Sequence, residues 1–333
     1  MKINAAIIGM GPHGRRFLQS LSAFSQISLK AVVDKDPAKL EGLTLHEQTK
    51  KLGDLSQLWP LGVDMILIAT NGPSHAPIAI ESMQRGVKYV LVTKPVATTL
   101  ADARNMMDVA KKTGARVAVD HGLRFDKTYN WILENIKQKQ FGDLKTLYIQ
   151  RPGIGLGCLG VHSFDLASML AGSEVETVTA WVDEPIGKNP RGEQFVDPGG
   201  LVIMNFKNGI KAVISQVEDG SGPMSVELNF TGARVRVDEK FKTLEVIRKN
   251  NTPAKFERIE NPHGQEVSHD TIKLMEAVIG DLLQGEPMQA DLSWGILSFE
   301  VLLAAYMSHD NGHQPVRLPM ADAQAEKRYL PVT

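Results

Sequence analysis

Between Asn4 and Asp120, short apolar runs rich in β-formers alternate with stretches whose apolar positions recur at helical spacing. Ala5–Ile8, Leu29–Val33, Met65–Ala69, Tyr89–Val92 and Val117–Val119 read as strands, with Arg15–Leu21, His75–Arg85 and Leu100–Lys112 as helices between them. The strand runs are apolar almost throughout, as strands are when helices cover both faces, so the pattern predicts a parallel sheet wound on both sides. After Asp120-His121-Gly122-Leu123-Arg124-Phe125 the rhythm changes. A helix is expected over Lys127–Gln138, a strand over Leu144–Ile149 and a helical segment from His162 to Leu170. From Val175 onward strands follow one another at Val202–Phe206, Ile210–Ser215, Val226–Phe230, Arg234–Val237, Leu244–Arg248 and Phe256–Ile259, and Lys207-Asn208-Gly209 carries the Asn-Gly signal of a hairpin. Helices return at Asp270–Leu283 and Ser293–Met307, and Pro185–Gly200 reads as a long loop that could gate a substrate, touch another subunit or merely connect strands.

The first strand runs straight into Gly9-Met10-Gly11-Pro12-His13-Gly14 and then a helix. Glycines at this spacing allow a tight turn, close approach of backbone to a pyrophosphate and close helix-strand packing, while the helix start offers N–H groups to the anion. Asp34 closes the second strand about 20 residues beyond the last glycine, where a carboxylate accepts from adenosine ribose hydroxyls. Strand, glycines, helix and acid in this order predict a Rossmann domain over residues 1–122. An α+β domain with a large, mostly antiparallel sheet and the C-terminal helices is expected over 123–333. Asp34 would repel a 2′-phosphate and Lys35 is the one cation beside it, so NAD is favoured without excluding NADP. His13 reads as a solvated residue of the glycine loop.

Length and composition agree with two well-packed domains: 333 residues, 43% hydrophobic and 23% charged. Lys and Arg number 37 against 38 Asp and Glu, so no global field draws the chain to nucleic acid or anionic lipid. The N-terminal segment lacks the pattern of a signal peptide, and no apolar run is long enough to cross a bilayer. The single cysteine, Cys158, excludes an internal disulfide and suits a reducing cytoplasm. Cys158, His162 and Asp165 are possible zinc ligands, but no second cluster completes such a site, and no metal is expected.

Three further segments carry a family resemblance: Ala69-Thr70-Asn71-Gly72-Pro73-Ser74-His75, Val90-Leu91-Val92-Thr93-Lys94-Pro95, and Gly157-Cys158-Leu159-Gly160-Val161-His162-Ser163-Phe164-Asp165-Leu166. In order and spacing they resemble the glucose-fructose oxidoreductase, inositol dehydrogenase and rhizopine-catabolism family (Gfo/Idh/MocA) over almost the whole chain. In that family the strand before the lysine usually ends Glu-Lys-Pro, and the later motif reads Asp-x-Gly-x-His-x-x-Asp. This chain keeps Lys94, Pro95, Gly160, His162 and Asp165 but has Thr93 and Cys158 in place of two carboxylates, and Asn71 where proline is common.

The resemblance implies hydride transfer between nicotinamide and the alcohol or carbonyl of a sugar, cyclitol or nucleotide sugar, in a homodimer or homotetramer built on the open sheet face. Gly9, Gly11, Pro12, His13, Gly14, Asp34, Thr70, His75 and Lys94 are then the cofactor-binding candidates. Read from the residues themselves, Lys94 ends a buried strand at the carboxyl edge of the sheet, where a cation can stabilise charge developing on a reacting oxygen. His162 suits general acid-base work, and Asp165, three residues on, shares its helical face. Arg124 and Arg151 are candidates for an anionic substrate group. With the carboxylate absent at position 158, proton transfer is expected through His162 helped by Asp165 or His121, with Cys158 a small packing residue. Two other readings remain open: a cofactor-binding regulator that has lost turnover, and an NAD-dependent glycoside-cleaving enzyme.

Overall fold

The computed structural model describes residues 2–153, 155–189, 191–218, 220–238, 243–248, 257–260, 271–285 and 287–332. They form two compact units, Met1–Gly122 with Asp270–Ile296, and Leu123–His269 with Leu297–Thr333.

In the first unit β1 (Ile3–Ile8) is followed by α1 (Pro12–Leu21), β2 (Ile27–Val33), β3 (Lys50–Leu52), β4 (Met65–Ile68), α2 (Gly72–Gln84), β5 (Tyr89–Val92), α3 (Leu100–Thr113) and β6 (Arg116–Val119). The strands pair in parallel in the order β3-β2-β1-β4-β5-β6. This order reverses between β1 and β4, and ligands of such sheets bind in the crevice outside the carboxyl ends at that point. Met65–Ile68 and Val90–Val92 are wholly buried, which is why their sequences show no polar alternation. β3 was not foreseen, since Lys50 and Lys51 are exposed on an edge strand without an apolar run. Local signals set the helices: the Thr99 hydroxyl accepts from the Asp102 amide at 3.0 Å at the start of α3, and Gly114 ends it in the left-handed region.

The second unit opens with α4 (Lys127–Lys137), whose cap Asp126 accepts from the amides of Thr128 at 2.8 Å and Tyr129 at 3.2 Å. Then come β7 (Leu144–Pro152), a π-helical turn at Gly155–Gly160, α5 (Val161–Ala171), β8 (Val175–Val182), β9 (Gly200–Phe206), β10 (Lys211–Val217), β11 (Ser225–Phe230), β12 (Ala233–Asp238), β13 (Thr243–Arg248) and β14 (Glu257–Glu260). Of the strand expected over Phe256–Ile259, residue 256 lies outside the described residues, as does Asp270 of the helix expected to start there. The chain ends with α6 (Thr271–Gln284), α7 (Leu292–Asp310), the two-residue β15 (Val316–Arg317) and a last turn, α8 (Ala323–Glu326). The sheet runs β14-β13-β12-β11-β7-β10-β9-β8-β15, antiparallel throughout except where β10 lies parallel to β7. Along β9, Val202, Met204 and Phe206 are buried while Leu201, Ile203 and Asn205 lie on the half-buried opposite face, and α5 covers the inner face at β7 and β10. The Asn208-Gly209 hairpin joins β9 to β10 as its sequence predicts.

One assignment is corrected. The C-terminal helices were expected in the second domain, yet Asp270–Ile296 clusters with the first unit. The cause is a buried stripe on α6, Met275, Val278, Ile279 and Leu282, which packs toward α1, β5 and β6. Arg116 at the start of β6 fixes the arrangement by donating to the carbonyls of Asp281 at 3.1 Å and Gly285 at 2.7 Å.

Candidate functional site

The glycine loop stands at the carboxyl end of β1. Gly9 turns at φ 91°, and its amide donates to the Val33 carbonyl at 2.8 Å. A Cβ at Gly14 would lie 1.9 Å from the Gly9 carbonyl oxygen, so no side chain fits there, whereas a Cβ at Gly11 would meet nothing within 4 Å. α1 starts with Pro12 at its first position, its cap Gly11 has no side-chain hydrogen bond, and no acid lies in the first turn. The first amides of the helix are therefore left for an anion. Asp34, buried at the end of β2, accepts from the Met10 amide at 2.7 Å with one oxygen and from the Asp36 amide at 3.0 Å with the other. Its remaining lone pairs can accept ribose hydroxyls. Loop, uncapped helix start and carboxylate together fit NAD. The cation near Asp34 is Lys39, with Nζ 3.9 Å from a carboxylate oxygen, and not the expected Lys35; the turn after Asp36-Pro37 brings it back, a signal readable only with the turn geometry in hand.

His13, expected in solvent, has its Nε2 2.8 Å from Oδ2 of Asp120, just after β6, and its ring edge lies on Phe17. This pair ties the glycine loop to the far end of the sheet. His75, a cofactor-binding candidate, is buried. Its Nδ1 is 2.8 Å from the Pro95 carbonyl oxygen, and its Nε2 is 3.0 Å from that of Thr70 and 3.1 Å from the Thr93 hydroxyl. Burial holds this histidine below its ordinary value, outweighing the two carbonyls that favour its cation, and Lys94 and His13 push the same way. A neutral ring donates from one nitrogen only, from Nδ1 to the Pro95 carbonyl or from Nε2 to that of Thr70, and in the first case Nε2 accepts from the Thr93 hydroxyl. The two residues flanking Lys94 are thereby held by one imidazole, and Thr93, where the family carries glutamate, is one of its partners. Lys94 itself is half-buried beyond β5, and the Thr70 hydroxyl accepts from Ser74 at 2.7 Å near the start of α2.

In the second unit His162 is the second residue of α5 and half-buried. Asp165, expected to orient it, is 1% exposed and taken by Arg124, whose Nε lies 2.8 and 2.9 Å from the two carboxylate oxygens and whose NH2 is 2.7 Å from Oδ1. Arg124, a candidate for a substrate anion, is buried in this pair, which holds the short turn carrying it to α5. Such a buried fork is costly to break from one side, because the remaining charge is stranded. Arg151 is half-buried near the end of β7, opposite Gln216 of β10. His121 is buried just after β6. Cys158 is buried in the π-helical turn with its Sγ accepting from Arg191 at 3.2 Å, and its amide donates to Asp197 at 2.7 Å. Sequence reasoning missed Asp197, which sits in a loop without any motif.

The family model described as "Oxidoreductase family, NAD-binding Rossmann fold" matches residues 3–121, and that described as "GFO/IDH/MocA C-terminal domain" matches residues 138–236. A myo-inositol 2-dehydrogenase of Thermotoga maritima is 27% identical over 229 residues, which cover 62% of this chain and 66% of that protein, just under two thirds of its length. Among solved structures, GenD2 from gentamicin A biosynthesis, in complex with NAD, superposes with a TM-score of 0.79 at 20% identity, covering 96% of this chain and 97% of its own. The WlbA dehydrogenase of Bordetella pertussis, in complex with NADH and UDP-GlcNAcA, gives a TM-score of 0.79 at 20% identity, covering 96% of this chain and 98% of its own. The two family models divide the chain as the glycine loop and the histidine-bearing helix divide it, and the chain belongs to the Gfo/Idh/MocA family of NAD-binding oxidoreductases.

Proposed function

We propose that this protein is an NAD-dependent dehydrogenase acting on a hydroxyl or carbonyl carbon of a sugar, cyclitol or nucleotide sugar. The observation that carries the reading is the nucleotide cradle, in which Asp34 stands 2.7 Å from the glycine-loop amide of Met10 while the first turn of α1 is uncapped. NAD, when bound, supplies the hydride acceptor or donor. The loop amides hold the pyrophosphate and Asp34 the adenosine ribose. Lys94 holds the substrate oxygen and stabilises negative charge on it as the carbon gives up hydride. His162 takes the hydroxyl proton in oxidation and returns it in reduction. The substrate class is supported by the inositol and UDP-sugar ligands or activities that the relatives' names state.

A homo-oligomer goes with this reading. On the open face of the nine-stranded sheet Tyr148, Val213 and Ile203 lie in register across β7, β10 and β9, and Tyr148 is 45% and Trp181 41% exposed. Apolar residues in such a row suit a second copy of the same face. Light scattering after gel filtration tests it, and a monomer at micromolar concentration would remove this part. No described helix is long and apolar enough to cross a membrane, and the buried thiol of Cys158 is at home in a reducing cytoplasm.

The direct test is a panel of sugars, cyclitols and nucleotide sugars with NAD, followed by the near-ultraviolet absorbance of reduced nicotinamide. Turnover on at least one class is expected, with NAD preferred over NADP. Tight NAD binding without single-turnover hydride transfer on any class would point instead to a sensor.

A further inference from the structure

We infer that Asp197 is the positioning residue of His162, supplying from a distant loop the carboxylate that the family motif carries where this chain has Cys158. The inference rests on the reading of His162 as the proton-exchanging group. Asp197 is 4% exposed, and its two oxygens accept from consecutive amides, Gly157 at 2.7 Å and Cys158 at 2.7 Å. Two amide donors, one on each oxygen, are the partners that suit an ionised carboxylate. The two amides belong to the π-helical turn Gly155–Gly160, which runs without a break into α5, where His162 follows one turn later. Amides at the start of a helix have no partner within it, and buried ones need an acceptor from elsewhere.

The approach is built into the sequence at Gly155, which has φ 56° and no Cβ. A Cβ there would lie 2.2 Å from the Asp197 carboxyl carbon and 2.3 Å from its carbonyl oxygen. The Asp197 segment is itself fixed, since the Val196 amide donates to the Pro331 carbonyl at 2.7 Å and the Pro198 carbonyl accepts from Leu156 at 2.9 Å. Position, orientation and charge therefore arrive together at the base of the helix that carries the histidine.

The electrostatic consequence follows from sign. The amides opening the turn and α5 form the positive end of a helix, which disfavours a nearby imidazolium. A carboxylate seated on them offsets that end and favours the imidazolium that His162 becomes when it takes a proton. Other charged groups described around the turn have partners of their own. Arg191 brings a cation to the Cys158 sulfur, and Asp165 on α5 is paired with Arg124. Tyr306 of α7 faces the same carboxylate: burial first, and Asp197 next, push its hydroxyl pKa up.

The test is an NMR titration of the His162 imidazole in the whole protein, which needs no substrate. In Asp197→Asn one oxygen is kept and an NH2 is turned against an amide, so the His162 midpoint should fall by roughly half a unit. Asp197→Glu, which keeps the charge, should bring it back toward the wild type. The NAD affinity of both variants should stay at the wild-type value, since the cradle is built from other residues. A folded Asn variant with an unchanged midpoint overturns the inference. Should neither variant fold, the wild type decides: the amide protons of Gly157 and Cys158 should resonate well downfield as carboxylate-bound donors, and ordinary positions for both overturn it. Failure of the underlying reading has a separate mark, normal turnover in His162→Ala.

Discussion

The two chain neighbours of Lys94 are held by one buried imidazole. His75 bonds the Pro95 carbonyl on one side of Lys94 and the Thr93 hydroxyl on the other. Lys94→Met should leave NAD affinity nearly unchanged and lower turnover about 100-fold or more, as loss of a charge-stabilising group at a reacting oxygen does; cofactor titration beside steady-state rates checks both halves. His75 makes a different, pH-linked prediction. Its folded value lies below the ordinary 6.5, so its contribution to stability is full above that value and is lost as pH falls toward the folded one. The melting temperature should fall between about pH 7 and about pH 5, and His75→Gln should flatten the slope. At this scale the sequence was legible where chemistry is local: Gly9, Gly14 and Asp34 lie at motif spacing and meet as that spacing demands. It was silent where partners are distant. Nothing in Asp165 marks Arg124 as its partner, nothing in His13 marks Asp120, and Asp197 carries no motif at all.

The elements were easiest to read where burial makes a periodic pattern. Ala5–Ile8 of β1, β4 and β5 are continuous apolar runs because both faces are covered, and the β9–β10 hairpin follows from Asn208-Gly209. β3 and β15 escaped because edge strands of two or three residues bury too little to leave a pattern. The π-helical turn escaped because its glycines read equally well as a loop. The join of β1 to α1 has the sharpest sequence dependence. Gly14→Ala would set its Cβ against the Gly9 carbonyl, a backbone atom that cannot swing aside. The loop and helix must separate, and NAD affinity should drop by at least about 10-fold with a lower melting temperature, on the order of 1–3 kcal/mol of overpacking. Calorimetric titration with NAD measures the first effect and thermal unfolding the second.

At the scale of the molecule, neither unit is a continuous stretch of chain. The parallel sheet borrows α6 from beyond the antiparallel one, and the antiparallel sheet takes its last edge, β15, from beyond α6. A fragment ending at residue 122 lacks the buried stripe Met275, Val278, Ile279 and Leu282 and the two carbonyls that Arg116 bonds. Despite holding every glycine of the cradle, it should bind NAD weakly or unfold; a linked 1–122/270–296 chimaera should recover both stability and binding in the same titration. That interleaving also governs biosynthesis. The ribosome delivers the nucleotide cradle before strands β7 to β14 and α6 only after them, so a nascent chain holds an uncovered parallel sheet while those strands are being made. A chain that stops before α6 should accordingly be a poor NAD binder, and the apolar surface it leaves uncovered is of the kind that chaperones and proteases recognise.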